Sequence, residues 1–172
     1  TSMHQGERWS AARAYLLPHI GQRDNLSVHT KAAVQRIVFE GKRAVGVEVL
    51  LQGQRQMLRA RREVLLSAGA LQSPQLLMLS GVGDGTALQQ HGIASVQHLP
   101  GVGSNLQDHL DFTFGYNVRG VDSFGFSTRG SWRMLREMLQ FHRARRGMLT
   151  TNSAEGGGFL KSRPELAIPD LQ

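Results

Sequence analysis

Val64-Leu65-Leu66-Ser67-Ala68-Gly69-Ala70-Leu71-Gln72-Ser73-Pro74-Gln75-Leu76-Leu77-Met78-Leu79-Ser80-Gly81-Val82-Gly83 is the stretch around which the rest of the chain is arranged. Val64 to Leu66 is an apolar run without polar alternation, which predicts a strand buried on both faces. Ser67-Ala68-Gly69-Ala70 carries only small side chains, so another molecule can approach the backbone closely there. Ser73 suits a helix N-cap, and Pro74 suits the first helical position, where a missing N–H loses no partner. Leu76, Leu77 and Leu79 give that helix an apolar side, and Gly81 and Gly83 end it. The unit predicted is strand, tight turn, helix. Ligands collect at the carboxyl ends of strands in open α/β sheets, and helix N-termini favour anions. From these residues alone, a nucleotide or anion site and a plain strand–turn–helix unit without ligand are both open.

Upstream, Ser10 to Leu17 reads as a short helix capped by Ser10 and stopped by Pro18. Leu26 to Thr30 reads as a strand, Val34 to Phe39 as a second, and Glu40-Gly41-Lys42 as a turn. Arg43 to Leu51 is a third strand, with Val45, Val47, Val49 and Leu51 on one face at period two. After Gln52-Gly53-Gln54, Arg55 to Glu63 is a fourth. Two hairpins thus form an antiparallel meander that feeds into Val64–Leu66. His4 and His19 have no ligand spacing with another His or carboxylate and read as surface residues.

Downstream, Thr86 to His91 predicts a short helix closed by Gly92, and Ile93 to His98 an extended segment. Pro100-Gly101-Val102-Gly103 is a turn, closely followed by Asn105, Asp108 and His109. Those polar groups either orient a cofactor or tie the loop to itself. A metal site is disfavoured, because its two plausible ligands are sequence neighbours. Phe112, Phe114 and Tyr116 alternate as one aromatic face of a strand, and Gly115 to Arg129 reads as irregular. Ser131 then caps a helix whose Trp132, Leu135, Met138, Leu139 and His142 share one side, read as core packing, with Gly147 at its end. His142 sits at the negative end of that helix dipole. Met148 to Leu160 reads as loop then strand.

A chain of 172 residues, 40% hydrophobic and 19% charged, has an ordinary globular balance and room for one domain or parts of two. There is no cysteine, so disulfides, thiolate metal sites and cysteine nucleophiles are excluded. No apolar stretch spans a bilayer, and nothing at the start reads as a signal peptide. The net charge of +7 is dispersed, apart from Arg59-Arg61-Arg62 and Arg143-Arg145-Arg146, and reads as a solvated basic surface. A nucleic-acid module would need aromatic residues interleaved with those clusters, and they are not.

The run from Gly69 to Gly83 resembles the second signature of the glucose–methanol–choline (GMC) oxidoreductases, FAD-dependent alcohol oxidases and dehydrogenases. Leu99-Pro100-Gly101-Val102-Gly103-Ser104-Asn105-Leu106-Gln107-Asp108-His109 resembles the stretch that follows it in that family. The similarity runs from about Arg8 to the end, is strongest between Asn25 and Leu110, and is nearest to bacterial choline and alcohol dehydrogenases.

The resemblance implies a mixed α/β (α+β) fold. Residues 1–110 would be the late part of a Rossmann-like FAD-binding domain with a β-meander, and residues 111–172 the start of a substrate-binding sheet-and-helix domain. It implies FAD as cofactor, with Val34 at the adenine ring, Ala68 and Gly69 at the strand end, and Asn105 and Asp108 around the flavin. Asn152, Ser153 and Glu155 would approach the substrate cavity. The reaction implied is oxidation of a primary alcohol, choline-like or aliphatic, by hydride transfer to flavin. A family member with structural FAD, such as a hydroxynitrile lyase, would carry the same signature.

Neither the Gly-x-Gly-x-x-Gly unit that grips the FAD pyrophosphate nor the family's proton-accepting histidine matches any residue here. The expectation is therefore an internal segment with no catalytic residue of its own, whose partners are an alcohol substrate and the rest of the same enzyme chain. Alone, it would be inactive and prone to self-association through the open edge of Val64–Leu66. The setting implied is cytoplasmic, with association to the inner face of a bacterial membrane left open.

Overall fold

The computed structural model describes residues 3–116, 127–151 and 156–171. In chain order its elements are β1 (Met3–His4), β2 (Glu7–Arg8), β3 (Ala32–Glu40), β4 (Arg43–Leu51), β5 (Gln54–Arg59), α1 (Gly69–Leu79), β6 (Val82–Gly83), α2 (Gly85–Gln90), β7 (Gln97–His98) and α3 (Thr128–Ala144). Two compact units result, one of residues 28–113 and one of residues 1–27 with 114–172. These units are defined by packing and differ from the 110/111 division that the resemblance implies.

In the unit of residues 28–113, β3, β4 and β5 form an antiparallel sheet in that order. The alternating valines of β4 drive it: Val49 is only 2% exposed and sits opposite Val34, and Val47 sits opposite the buried Ile37. Burying a valine of this kind contributes roughly 1.5–3 kcal/mol. The ladder slips by one residue at Gln35 and again at Val45, and such bulges bend and twist a strand locally. On the polar side, Glu48 of β4 pairs with Arg36 of β3 (3.0 Å) and Arg55 of β5 (3.6 Å). The meander expected from Val34 onward is present, but Leu26–Thr30 adds no strand to it and β5 ends at Arg59.

Two further expectations are corrected here. Val64–Leu66 is not a strand, and Leu65 is 80% exposed. An apolar run becomes a central strand only when neighbours pair with both its edges, and no described residue does so. Nor does α1 begin at Ser73: it begins at Gly69, with Pro74 inside it. The Ser73 hydroxyl instead reaches back to accept the Ala68 N–H at 3.1 Å. Pro74 removes one internal helix hydrogen bond, but its fixed φ is compatible with the helix.

The end of α1 follows the expected pattern. Ser80 closes it, and Gly81 continues at φ +87°, a backbone region that L side chains rarely adopt. A Cβ at Gly81 would stand 2.4 Å from the Ala94 carbonyl oxygen, so the position needs glycine twice over. β6 then pairs in parallel with β7. Asp84 caps α2, its Oδ1 accepting from the Thr86 and Ala87 N–H groups at 2.9 Å each. The turn at residues 100–103 lies against α1: a Cβ at Gly103 would meet Met78 Cε at 3.2 Å. Residues 104–116 carry no helix or strand, so the predicted aromatic strand face at Phe112, Phe114 and Tyr116 is not formed, and all three side chains are exposed.

In the other unit, β1 and β2 form a small hairpin. Glu7 of that hairpin pairs with Arg13 and with Arg145 (2.9 Å). The run after Ser10 is a π-helical turn, Ala12–Leu16, followed by a 3-10 turn that includes Pro18, so the proline changes the helix type instead of stopping it. α3 starts earlier than expected: Ser127, not Ser131, is its cap, accepting from the Gly130 N–H at 3.0 Å. It ends at Ala144, before Gly147, with Arg145 in the left-handed region. The reading of its apolar side as core is also corrected. Trp132 is 74% exposed, while Glu137 on the opposite side is buried and accepts from the Met148 N–H at 3.0 Å. His142 lies in the last turn of α3, as expected. Among the described residues, no helix is long and apolar enough to cross a membrane.

Candidate functional site

The geometry that matters lies where α1 crosses the outer strand of the meander. At the C-terminal end of the helix, the buried Ser80 Oγ accepts the Ile37 N–H at 2.8 Å and donates to the Leu76 carbonyl. One side chain thereby satisfies a strand edge and a helix terminus together, and fixes helix to strand at that point. Toward the N-terminal end of the helix the two elements leave a cleft of about 480 Å³.

Val34, with Ala32 and Ala33, forms the strand wall of that cleft, and Ala68 stands at the helix start. Val34 is 39% exposed, although Val49 opposite it on β4 is buried. Leu76 and Leu79 supply apolar surface, and Gln35, Gln72 and Gln75 supply amides. No charged side chain among the described residues lines the cleft. Its chemistry therefore suits an uncharged group with a polar edge; a phosphate would call for positive charge.

The five cofactor residues expected from sequence fall into two sets. Val34 and Ala68 come together on this one cleft. Gly69 follows Ala68 at φ +86°, with nothing within 4 Å of where a Cβ would stand, so the backbone there is bare. Asn105 and Asp108 do not line the cleft. They lie on the exposed segment beyond the turn at residues 100–103, Asn105 in the left-handed region at φ +56°. The Asp108 carboxylate accepts the neighbouring His109 N–H at 2.8 Å, a local tie of the loop. Asn152, Ser153 and Glu155 lie outside the described residues.

Three features of the site escaped sequence reading. Ser80 looked like a helix end and is also the link to Ile37. Asp84 caps α2, which begins at Gly85, one residue before the predicted start. Gln72 and Gln75 share a helix face with Ala68 and Leu79, a spacing of three and four residues that was legible but read only for its leucines.

Among the described residues, no group of three or more His, Asp or Glu stands close enough to hold a metal ion. A further cleft of about 360 Å³ lies beside Ser80, between β3 and residues 92–96. In the other unit, Trp132, Leu135 and Leu139 with Arg129 border a shallow groove on the outer face of α3.

Residues 1–111 match the family model described as GMC oxidoreductase. The chain is 47% identical over 97% of its length to an alcohol dehydrogenase [acceptor] of Pseudomonas putida, covering 30% of that protein. It is 44% identical over 99% of its length to the mitochondrial choline dehydrogenase of Mus musculus, covering 28% of it. Among solved structures, an FAD-dependent oxidoreductase from Chaetomium thermophilum superposes with a TM-score of 0.71 at 29% identity, over 85% of this chain and 26% of that one. The chain thus spans less than a third of the length of the relatives it matches.

Proposed function

The chain belongs to the GMC oxidoreductase family, and on that premise we propose that it forms the adenosine-holding part of an FAD-dependent enzyme that oxidises a primary alcohol, choline-like or aliphatic, to an aldehyde. FAD is the cofactor that goes with this family. The observation that carries the reading is the uncharged cleft between β3 and α1, where Val34 and Ala68 converge. Its apolar walls and amide-bearing rim fit an adenine ring, which is flat, neutral and polar at its edge.

Within that reading each element has a task. Val34 offers backbone N–H and C=O to the adenine ring from the outer strand of the sheet. Ala68 and Gly69 keep the helix start free of bulk, so that the dinucleotide passes close to the backbone. Ser80 holds helix and strand together and so fixes the cleft's width. Asn105 and Asp108, on the segment beyond the turn that rests on Met78, belong to the wall around the flavin ring. A bound flavin would supply the redox chemistry as hydride acceptor, with Val34, Ala68 and Gly69 holding its adenosine end and Asn105 and Asp108 orienting its ring. The hydroxyl proton passes to a base outside these residues. That base and the grip on the pyrophosphate come from other parts of the same enzyme chain. The choice of alcohol as substrate rests on the names of the Pseudomonas putida and Mus musculus relatives.

The test is made on the full-length gene product. Anaerobic addition of choline, and separately of a straight-chain primary alcohol, should bleach the visible flavin band and yield one aldehyde per flavin. A bound flavin that stays oxidised with every alcohol would overturn the oxidase or dehydrogenase reading and leave FAD as a structural component.

A further inference from the structure

Two glutamines of α1 have no part in holding the fold. Gln72 and Gln75 line the β3–α1 cleft, yet neither makes a side-chain hydrogen bond with a described residue. Gln35, on the opposite wall, differs: its Nε2 donates to the Ala33 carbonyl at 3.2 Å. On α1, Gln72 is one turn beyond Ala68 and Gln75 nearly another, so all three share one helix face. Farther along the helix that face becomes Leu76 and Leu79, which are purely apolar.

A primary amide presents a donor and an acceptor side by side. Glutamine makes a bidentate pair with adenine in this way, accepting from N6–H and donating to N7. The backbone N–H and C=O assigned to Val34 read one edge of the base and leave its N7 side to the helix wall, where Gln72 and Gln75 stand. An amide on the opposite wall adds a reader for the exocyclic amine. Resting on the assignment of this cleft to adenosine, we infer that Gln72 and Gln75 form an adenine-reading pair that makes the enzyme select FAD over flavin dinucleotides carrying another purine.

The experiment uses the full-length gene product freed of flavin and titrated by fluorescence quenching. The ligands are FAD, its hypoxanthine analogue, which bears an oxygen in place of the exocyclic amine, and flavin mononucleotide. The unaltered protein should bind FAD about tenfold more tightly than the hypoxanthine analogue, the size of discrimination one such pair provides. Gln72→Met and Gln75→Met keep the side-chain length without the amide and should fold normally, since both positions are exposed. At least one of them should weaken FAD binding about tenfold and cut the preference over the hypoxanthine analogue by about the same factor, with flavin mononucleotide unaffected.

Equal affinity for FAD and its hypoxanthine analogue in the unaltered protein would overturn the inference. So would variants that keep the preference undiminished, or variants that weaken all three ligands equally. Tight FAD binding with no purine preference leaves the cleft assignment standing and removes only the glutamine pair. Indistinguishable binding of FAD and flavin mononucleotide removes the cleft assignment itself, and with it the inference.

Discussion

Replacing Gly81 by alanine tests the join on which the cleft depends. The residue stands at φ +87°, and an added Cβ would lie 2.4 Å from the Ala94 carbonyl oxygen and 2.9 Å from Val96 Cγ2. The positive φ costs about 1–2 kcal/mol for a residue with a Cβ. Forcing a methyl against fixed backbone adds about 1–3 kcal/mol. The stiffer unfolded chain returns about 0.4–1 kcal/mol, leaving a net loss of about 1–4.5 kcal/mol. Gly81 also accepts from the Val96 N–H at 2.7 Å, and Ser80 beside it holds Ile37, so relief of the clash must disturb one of them. Gly53→Ala is the control: φ there is +78° with nothing within 4 Å of the Cβ position, so only the conformational term applies. Urea unfolding gives the free energies, and hydrogen exchange at the Ile37 amide reports on the join itself. Gly81→Ala should lose at least about 1 kcal/mol more than Gly53→Ala, with faster Ile37 exchange. Equal losses, with Ile37 protection intact, would refute the close-approach argument.

Ser80→Ala should destabilise by about 1–3 kcal/mol, because it leaves the Ile37 N–H buried without an acceptor; urea unfolding measures it, and FAD affinity should fall with it as the cleft loosens. Asp84→Ala removes both cap acceptors of α2 and should cost about 1 kcal/mol, while Asp84→Asn should retain most of that stability. Ser162 holds the Asp170 carboxyl below its usual range, chiefly through the hydroxyl bond and then through the Ser162 N–H. A depressed carboxylate stabilises its fold above its ordinary pKa and loses that contribution as pH falls through the lowered value, so the loop of residues 160–171 should loosen only in acid. Carboxyl NMR titration should show the Asp170 midpoint returning upward in Ser162→Ala. Residues 1–172 expressed alone should run on size exclusion as a self-associated species, in line with the exposure of Leu65, Trp132 and Leu139; a stable monomer would contradict this.

Local rules located most of the elements. The β4 boundaries follow from four alternating apolar residues between two glycine turns, and the end of α1 from Gly81, because those signals act within a few residues of where they are read. The starts of α1 and α3 were misplaced for one reason. A serine near a helix N-terminus can serve as cap or as an internal residue, and Ser73 and Ser131 are both internal, while Ala68 and Ser127 precede the helices. At the site, Val34 and Ala68 were legible through the family motif, but their meeting on one cleft depends on Ser80 bonding to Ile37 across 43 residues. Period and propensity do not register a contact of that span.

The two largest departures share a physical cause. Val64–Leu66 carries a pattern for burial on both faces, and α3 carries an apolar stripe at helical spacing, yet Leu65 and Trp132 are among the most exposed side chains described. Hydrophobic periodicity records the surroundings a segment is selected for, and it is silent about what supplies them. A wrong period would have produced a different element. α3 is the predicted helix, and its stripe lies along one face; what differs is that the described residues pack on the other side, around Glu137. Exposed apolar area of this kind costs about 25 cal/mol per Å² until it is covered. The mismatch between pattern and exposure therefore marks Val64–Leu66 and the Trp132–Leu139 face as surfaces built to be covered. The β3–α1 cleft is a different case. Its amides and small residues give it a polar rim and an open mouth, the composition of a ligand slot.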